Sequence, residues 1–150
     1  MPDFTTTQKM RKMIEDWEGK RLTAYRDPVG IATIGYGHTG PDVHMGQVTT
    51  AEQADTLLAN DLHKFEAAVK GLAGPKTTQG QFDAFVSFCF NLGSGALKSS
   101  TLLRRHLAGR YPEAADEFLK WNHAGGVELA GLTRRRRGER QVYLSDLPLG

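Results

Sequence analysis

Apolar positions along this chain change period twice, and each change marks a new kind of element. Met10, Met13, Ile14 and Trp17 recur at helical spacing after a Thr-rich start that can cap a helix. Gly19 is a natural stop, so Glu18 falls in the final turn of that helix. The pattern then turns to alternation. Residues 22–26 and 31–36 read as strands joined by Asp27-Pro28-Val29-Gly30, where proline presets the turn and glycine tolerates unusual dihedrals. Ala32, Ile34 and Tyr36 share one face of the second strand; Ile31, Thr33 and Gly35 share the other. The small Gly35 and Gly37 are expected to leave room beside Thr33 for a bulky ligand.

Helical spacing returns at Thr49. Thr49-x-x-Glu52 is a capping-box pattern, and Ala54, Leu57, Leu58, Leu62, Phe65 and Val69 line one stripe of a long helix ending near Gly71. A Gly/Pro loop follows over residues 71–76. Thr78-x-x-Gln81 is a second capping-box pattern. The segment 82–92 behind it is apolar nearly all round, as a central core helix should be. Short helices are expected over 101–108, 112–121 and 133–144, with Pro112 at a first helical position and Gly125-Gly126 in a loop.

Composition narrows the class. The 150 residues suffice for one well-buried domain and are too few for two of ordinary size. With 39% hydrophobic and 24% charged residues the chain reads as an ordinary globular protein, and its apolar runs are too short to span a membrane. Residues 1–10 are polar and lack the apolar region of a secretory leader. The lone Cys89, between Phe88 and Phe90, excludes an intramolecular disulfide and reads as a buried thiol. Five scattered histidines and one cysteine give no zinc spacing. Gly35-Tyr36-Gly37 lacks the third glycine and the strand-to-helix context of a phosphate-binding loop. No metal or cofactor is expected. The net charge of +2 is below the basic excess usual for nucleic-acid modules, so no nucleic-acid partner is expected; an anionic cell-wall polymer remains compatible. Arg134, Arg135, Arg136 and Arg137, with Arg140, form the strongest charge cluster. On a helix they point in several directions. The plain reading is a solvated helix with some arginines paired to acids; the functional reading is attraction to an anionic envelope surface.

The most informative stretch runs from Glu18 to His38. It sets one acid at a helix end, a second, Asp27, before a tight turn, and a hydroxyl, Thr33, on the returning strand. Two carboxylates in unlike environments are what glycosidic bond cleavage requires. At a helix C-terminus Glu18 meets the negative end of the macrodipole, which disfavours ionisation, and Trp17 could add desolvation in the same sense; Arg21 or Arg26 nearby would oppose both. Asp27, in an open turn, is expected to stay ionised.

The pattern Glu18-x8-Asp27-x5-Thr33, with Glu18–Gly19, Tyr25-x-Asp27 and the Thr33–His38 run T-I-G-x-G-H, resembles the phage-type lysozymes of glycoside hydrolase family 24, which act as endolysins. Two further blocks resemble the same family: Phe90-Asn91-Leu92-Gly93, and G-L-x-x-R-R from Gly131 to Arg136. The resemblance implies an α+β, mainly helical, lysozyme-like fold: a small β-hairpin lobe and a larger helical lobe joined by a long helix, in a single catalytic domain over residues 1–150. It implies a muramidase that hydrolyses the β-1,4 bond between N-acetylmuramic acid and N-acetylglucosamine in bacterial peptidoglycan. Glu18 would be the proton donor, Asp27 the carboxylate that polarises water or stabilises the sugar cation, and Thr33 the hydroxyl that holds the water. Inversion is the implied outcome and retention the alternative. Asn91 either binds sugar amide groups or caps the core helix. Phe90 reads as core before sugar platform, and Thr39 and Thr101 align with cleft-lining positions. His38 is expected to have a structural hydrogen-bonding role. The protein is expected to be a monomer that accumulates in the host cytoplasm and reaches the wall after a holin opens the inner membrane. Rival readings are a lytic transglycosylase, which forms an anhydro sugar without water, and a non-catalytic peptidoglycan-binding module.

Overall fold

The computed structural model describes residues 1–147. In chain order these form α1 (Gln8–Glu18), β1 (Arg21–Arg26), β2 (Ala32–Gly35), α2 (Ala51–Leu72), α3 (Gln79–Leu92), α4 (Ser94–Lys98), α5 (Thr101–Leu107), α6 (Tyr111–Glu117), a 3-10 turn (Phe118–Lys120), β3 (His123–Ala124), β4 (Val127–Glu128) and α7 (Ala130–Leu144). The fold is α+β and mainly helical, as expected. Two compact units divide it. One is Gln8–Lys64; the other joins Met1–Thr7 to the chain from Phe65 onward. The long helix α2 begins in the first unit and ends in the second.

In the Gln8–Lys64 unit, α1 stops at Glu18 because Gly19 takes φ +75° and returns its N–H to Glu15 O at 2.9 Å. β1 and β2 pair antiparallel, with Tyr25 opposite Thr33 and Arg26 opposite Ala32, and an irregularity between Arg21 and Tyr25. The outer edge of β1 is covered by residues 47–49: Ala24 N–H donates to Gln47 O and Thr49 N–H to Leu22 O. β2 is shorter than its alternation suggests. The chain reverses at once, with Ile34 and His38 exchanging backbone hydrogen bonds of 2.9 Å, so Tyr36 leaves the strand. The expected two-faced strand is also not what forms: Thr33, Ile34, Gly35 and Tyr36 are all buried. Ala24, Ile34 and Val43 make the small core, with Ala32 and Leu57 against it. Gly35 is small for packing rather than to make room for a ligand, since a Cβ there would lie 3.4 Å from the Ala54 Cβ of α2.

The cap of α2 lies one residue later than its sequence pattern suggests. Gln53 N–H donates to Thr50 Oγ1 and Thr50 N–H to Gln53 Oε1, so the box is Thr50–Gln53 rather than Thr49–Glu52. The second box forms as expected between Thr78 and Gln81.

In the other unit α3 is the core. Residues Gly80 through Cys89 are buried on every face. Its Phe85 and Phe88 pack with Phe118 and Tyr143, ring centroids 6.0 Å apart or closer. Gly93, at φ +94°, caps α3 by donating to Cys89 O at 2.7 Å. Three features were not anticipated: the short α4, the 3-10 turn that replaces the end of the 112–121 helix, and the β3–β4 hairpin around Gly125-Gly126. α7 starts at Ala130, three residues earlier than the expected 133. Cys89 is fully buried, and burial pushes its thiol up to about 12, so it is inert as a nucleophile.

Candidate active site

Glu18, Asp27 and Thr33 all lie in the Gln8–Lys64 unit, on the end of α1, the β1–β2 turn and β2. Asp27 organises its turn. Its Oδ1 accepts from Val29 N–H at 2.9 Å and Ile31 N–H at 2.8 Å, while its own N–H donates to Ile31 O and its carbonyl accepts from Gly30 N–H. Gly30 completes the turn at φ +87°. One carboxylate oxygen, Oδ1, is thus bound to two backbone amides.

Thr33 is tied to the same turn. Its hydroxyl donates to Ile31 O at 2.9 Å, the carbonyl that also accepts the Asp27 N–H. The hydroxyl proton is therefore used internally, and Thr33 Oγ1 offers an acceptor outward, not a donor. Thr33 is only 3% exposed.

Glu18 ends α1, and its carboxylate lies against Gly37: a Cβ at Gly37 would sit 3.4 Å from Glu18 Oε2. Gly37, at φ +79°, gives both the backbone reversal and the close approach to the acid. The two arginines considered as neighbours of Glu18 have other partners in the unit. Arg21 lies 4.7 Å over the Tyr25 ring and Arg26 donates to Gly30 O at 3.1 Å.

His38 closes the hairpin. Its Nδ1 lies 2.8 Å from Asp61 Oδ2 and its Nε2 2.8 Å from Asp42 Oδ2. Only the imidazolium donates from both nitrogens, so the doubly protonated ring satisfies both carboxylates. Burial is the largest single influence and pulls its basicity down, but the two aspartates together outweigh it and hold His38 above its ordinary value. Asp61 carries no signal in the sequence as a partner, being 23 positions away on α2. Thr39 follows His38 and is exposed.

The remaining expected residues lie in the other unit. Phe90 meets Phe65 edge to face at 5.8 Å. Thr101 opens α5, and its Oγ1 accepts from Arg104 at 2.7 Å. Asn91 does not cap α3, a role Gly93 fills; its Oδ1 accepts from Arg136 at 2.9 Å. Arg136 belongs to a buried group with Glu139, Ser87 and Arg135. Ser87 Oγ donates to Glu139 Oε2 at 2.5 Å and Arg136 Nε lies 2.7 Å from Glu139 Oε1. This removes Arg135 and Arg136 from the surface reading of the arginine run. Arg135 is 4% exposed and Arg136 fully buried, because α7 turns that side onto α3, so neither can meet an envelope surface. Arg134 and Arg137 are exposed.

Among the described residues no group of three or more His, Cys, Asp or Glu side chains is placed to hold a metal ion, and no helix is long and apolar enough to cross a membrane.

The chain is 48% identical over 135 residues to the endolysin of Bacillus phage B103, covering 89% of this chain and 51% of that protein. It is 45% identical over 132 residues to the endolysin of Salmonella phage P22, covering 85% and 90%. The solved structure of an endolysin from Escherichia coli O157:H7 phage FAHEc1 matches with a TM-score of 0.88 at 41% identity, over 97% of this chain and 98% of that one. The chain spans about half the length of the Bacillus phage relatives it matches. The family model for phage lysozyme matches residues 15–139, and the chain belongs to the phage lysozyme family.

Proposed function

We propose that the chain is an endolysin acting as a muramidase: it hydrolyses the β-1,4 bond between N-acetylmuramic acid and N-acetylglucosamine in bacterial peptidoglycan, with residues 1–150 as one catalytic domain. The observation that carries the reading is the shared Ile31 carbonyl, which binds both the Asp27 N–H and the Thr33 hydroxyl and so ties the base and its helper to one rigid turn. The relatives' names, endolysins of phages, support the same substrate class.

Glu18 donates a proton to the leaving glycosidic oxygen as the bond breaks. A water gives one hydrogen to Asp27 Oδ2 and the other to Thr33 Oγ1. Both groups are acceptors in that direction, so a lone pair of the water is left for the anomeric carbon. Attack on the face opposite the leaving group inverts the configuration. Glu18 ends ionised and Asp27 protonated, and proton exchange with solvent restores both. Asp27, ionised before attack, also stabilises the sugar cation as it develops.

The test is release of reducing ends from purified peptidoglycan by the wild type and by Glu18→Gln. The wild type is expected to release them, with one water added per cut by mass and the opposite anomer formed first by NMR. Glu18→Gln is expected to release none while keeping its circular dichroism spectrum. An active Gln variant would refute the proton-donor role. Anhydro products would mean transglycosylation, and a wild type that binds peptidoglycan without cutting it would mean a binding module.

A further inference from the structure

The short loop 35–38 is laid along α2 at two points. Gly35 packs on Ala54: a Cβ at Gly35 would lie 3.4 Å from the Ala54 Cβ and 3.5 Å from its Cα. His38 reaches Asp61, whose two carboxylate oxygens lie 3.0 and 2.8 Å from Nδ1. Ala54 and Asp61 are seven positions apart on α2, so they share a face and stand about 10 Å apart along it. Between the two points the backbone has little freedom, because Ile34 and His38 exchange both backbone hydrogen bonds at 2.9 Å. Gly37 lies inside this span and forms one wall of the Glu18 carboxylate, with Oε2 3.4 Å from the place a Cβ would take. All of these residues belong to the Gln8–Lys64 unit.

Asp42 bonds the other nitrogen of the same ring, 2.8 Å from Nε2. It stands in the loop after the hairpin, with a side chain 59% exposed against 26% for Asp61. Two carboxylates therefore hold one imidazolium, and of the two Asp61 is the one that fastens it to α2. We infer that Asp61, acting through His38, is a positioning residue for the proton transfer: it fixes the Gly37 backbone on α2 and with it the place of the Glu18 carboxylate. The inference rests on Glu18 as the proton donor and goes beyond that reading by naming the residue that aims the donor. Proton transfer to the leaving oxygen requires hydrogen-bond contact in the transition state, and a misplacement of about 1 Å can cost about 100-fold in rate. Moving a wall of the acid weakens the transition state and spares ground-state binding, so the effect belongs in kcat.

Asp61→Asn and Asp42→Asn, compared side by side, test this. Each removes one negative charge from the same ring. In Asp61→Asn the amide offers Nδ1–H one oxygen and no charge, while Asp42, still ionised, pulls the ring away from α2. Its kcat on solubilised peptidoglycan is expected to fall about tenfold, with KM within about twofold of the wild type. Asp42→Asn is expected to keep both constants within about twofold. Each protein is assayed at a temperature where circular dichroism shows it fully folded, so a lower melting temperature does not enter the comparison. A wild-type kcat in Asp61→Asn overturns the inference, because the pair then only stabilises the fold. An equal fall in both variants also overturns it, since the charge on the ring would matter and its tie to α2 would not. If Asp61→Asn does not fold, Ala54→Gly probes the other point, where loss of the Cβ loosens Gly35. A kcat about threefold lower at unchanged KM then supports the inference, and a wild-type kcat overturns it. All of these outcomes leave the muramidase reading standing. A wild type that releases no reducing ends, or a fully active Glu18→Gln, brings down that reading and the inference with it.

Discussion

Asp27 Oδ1 builds the turn through Val29 and Ile31, while the proposed reaction uses its other oxygen, Oδ2. The division makes Asp27→Asn an unusually clean variant. An amide oxygen can still accept from both backbone N–H groups, so the turn survives and the melting temperature is expected to stay within about 2 °C of the wild type. The negative charge is gone, and hydrolysis is expected to fall by about 100-fold or more. A variant that kept its rate would remove Asp27 from the chemistry. Thr33 shows how a residue's role shifts between sequence and structure. Its hydroxyl could donate or accept in principle. The Ile31 carbonyl takes the donor, which leaves acceptance as the outward function.

Among the elements, α3 sets the architecture of its unit and depends on close approach at its N-terminal end. Thr78 caps it, and Thr78 Oγ1 also donates to Asp146 beyond the end of α7 at 2.7 Å. Gly80 N–H donates to the same carboxylate at 2.9 Å. A Cβ at Gly80 would lie 2.5 Å from Asp146 Oδ1 and 2.6 Å from the Val142 carbonyl, so α7 comes as near to α3 as a glycine allows. Gly80→Ala removes a poor helix former, which by itself gains about 1 kcal/mol. The clash with a backbone carbonyl wins, because α7 is held elsewhere by Tyr143 and Glu139 and cannot retreat freely. A net loss of about 1–3 kcal/mol is expected in a urea denaturation series. A Gly80→Ala protein as stable as the wild type would show that α7 adjusts.

At the scale of the whole molecule, the two units are expected to answer pH in opposite ways. His106, in the Phe65-onward unit, is buried and neutral. Nε2 donates to Ala73 O at 3.0 Å and Nδ1 accepts from Tyr143 O–H at 2.7 Å. Burial pulls its value down to about 4. The unfolded chain binds this proton first, so the stability His106 contributes is present above about pH 6.5 and is lost as pH falls towards 4; the loss is about 3 kcal/mol. His38, in the Gln8–Lys64 unit, is raised above its ordinary value, chiefly by Asp61 and Asp42 working against burial. Its contribution is present below about pH 6.5 and is lost as pH rises through the folded value. Hydrogen exchange read by mass spectrometry at pH 5 and pH 7.5, corrected for intrinsic rates, is expected to show weaker protection at pH 5 in segments from 82–144. Segments from 32–64 are expected to show equal or stronger protection at pH 5. Parallel loss of protection in both would contradict the two assignments.

Local chemistry made much of this protein legible from its residues. The stop at Gly19, the Asp27 turn, the Thr78–Gln81 cap and the all-round apolar α3 depend on neighbours within a few positions, and sequence order carries such information directly. What sequence order could not carry was contact between distant positions. Asp61 pairs with His38 across 23 residues and Glu139 with Ser87 across 52. Arg135 and Arg136 look like surface charge until α7 is laid on α3, which buries them beside Glu139 and gives Asn91 its orientation. Gly35 looks like free space until Ala54 fills it. Periodicity says which side of a helix is apolar; only packing says which polar groups must go inside with it and what they must then bond.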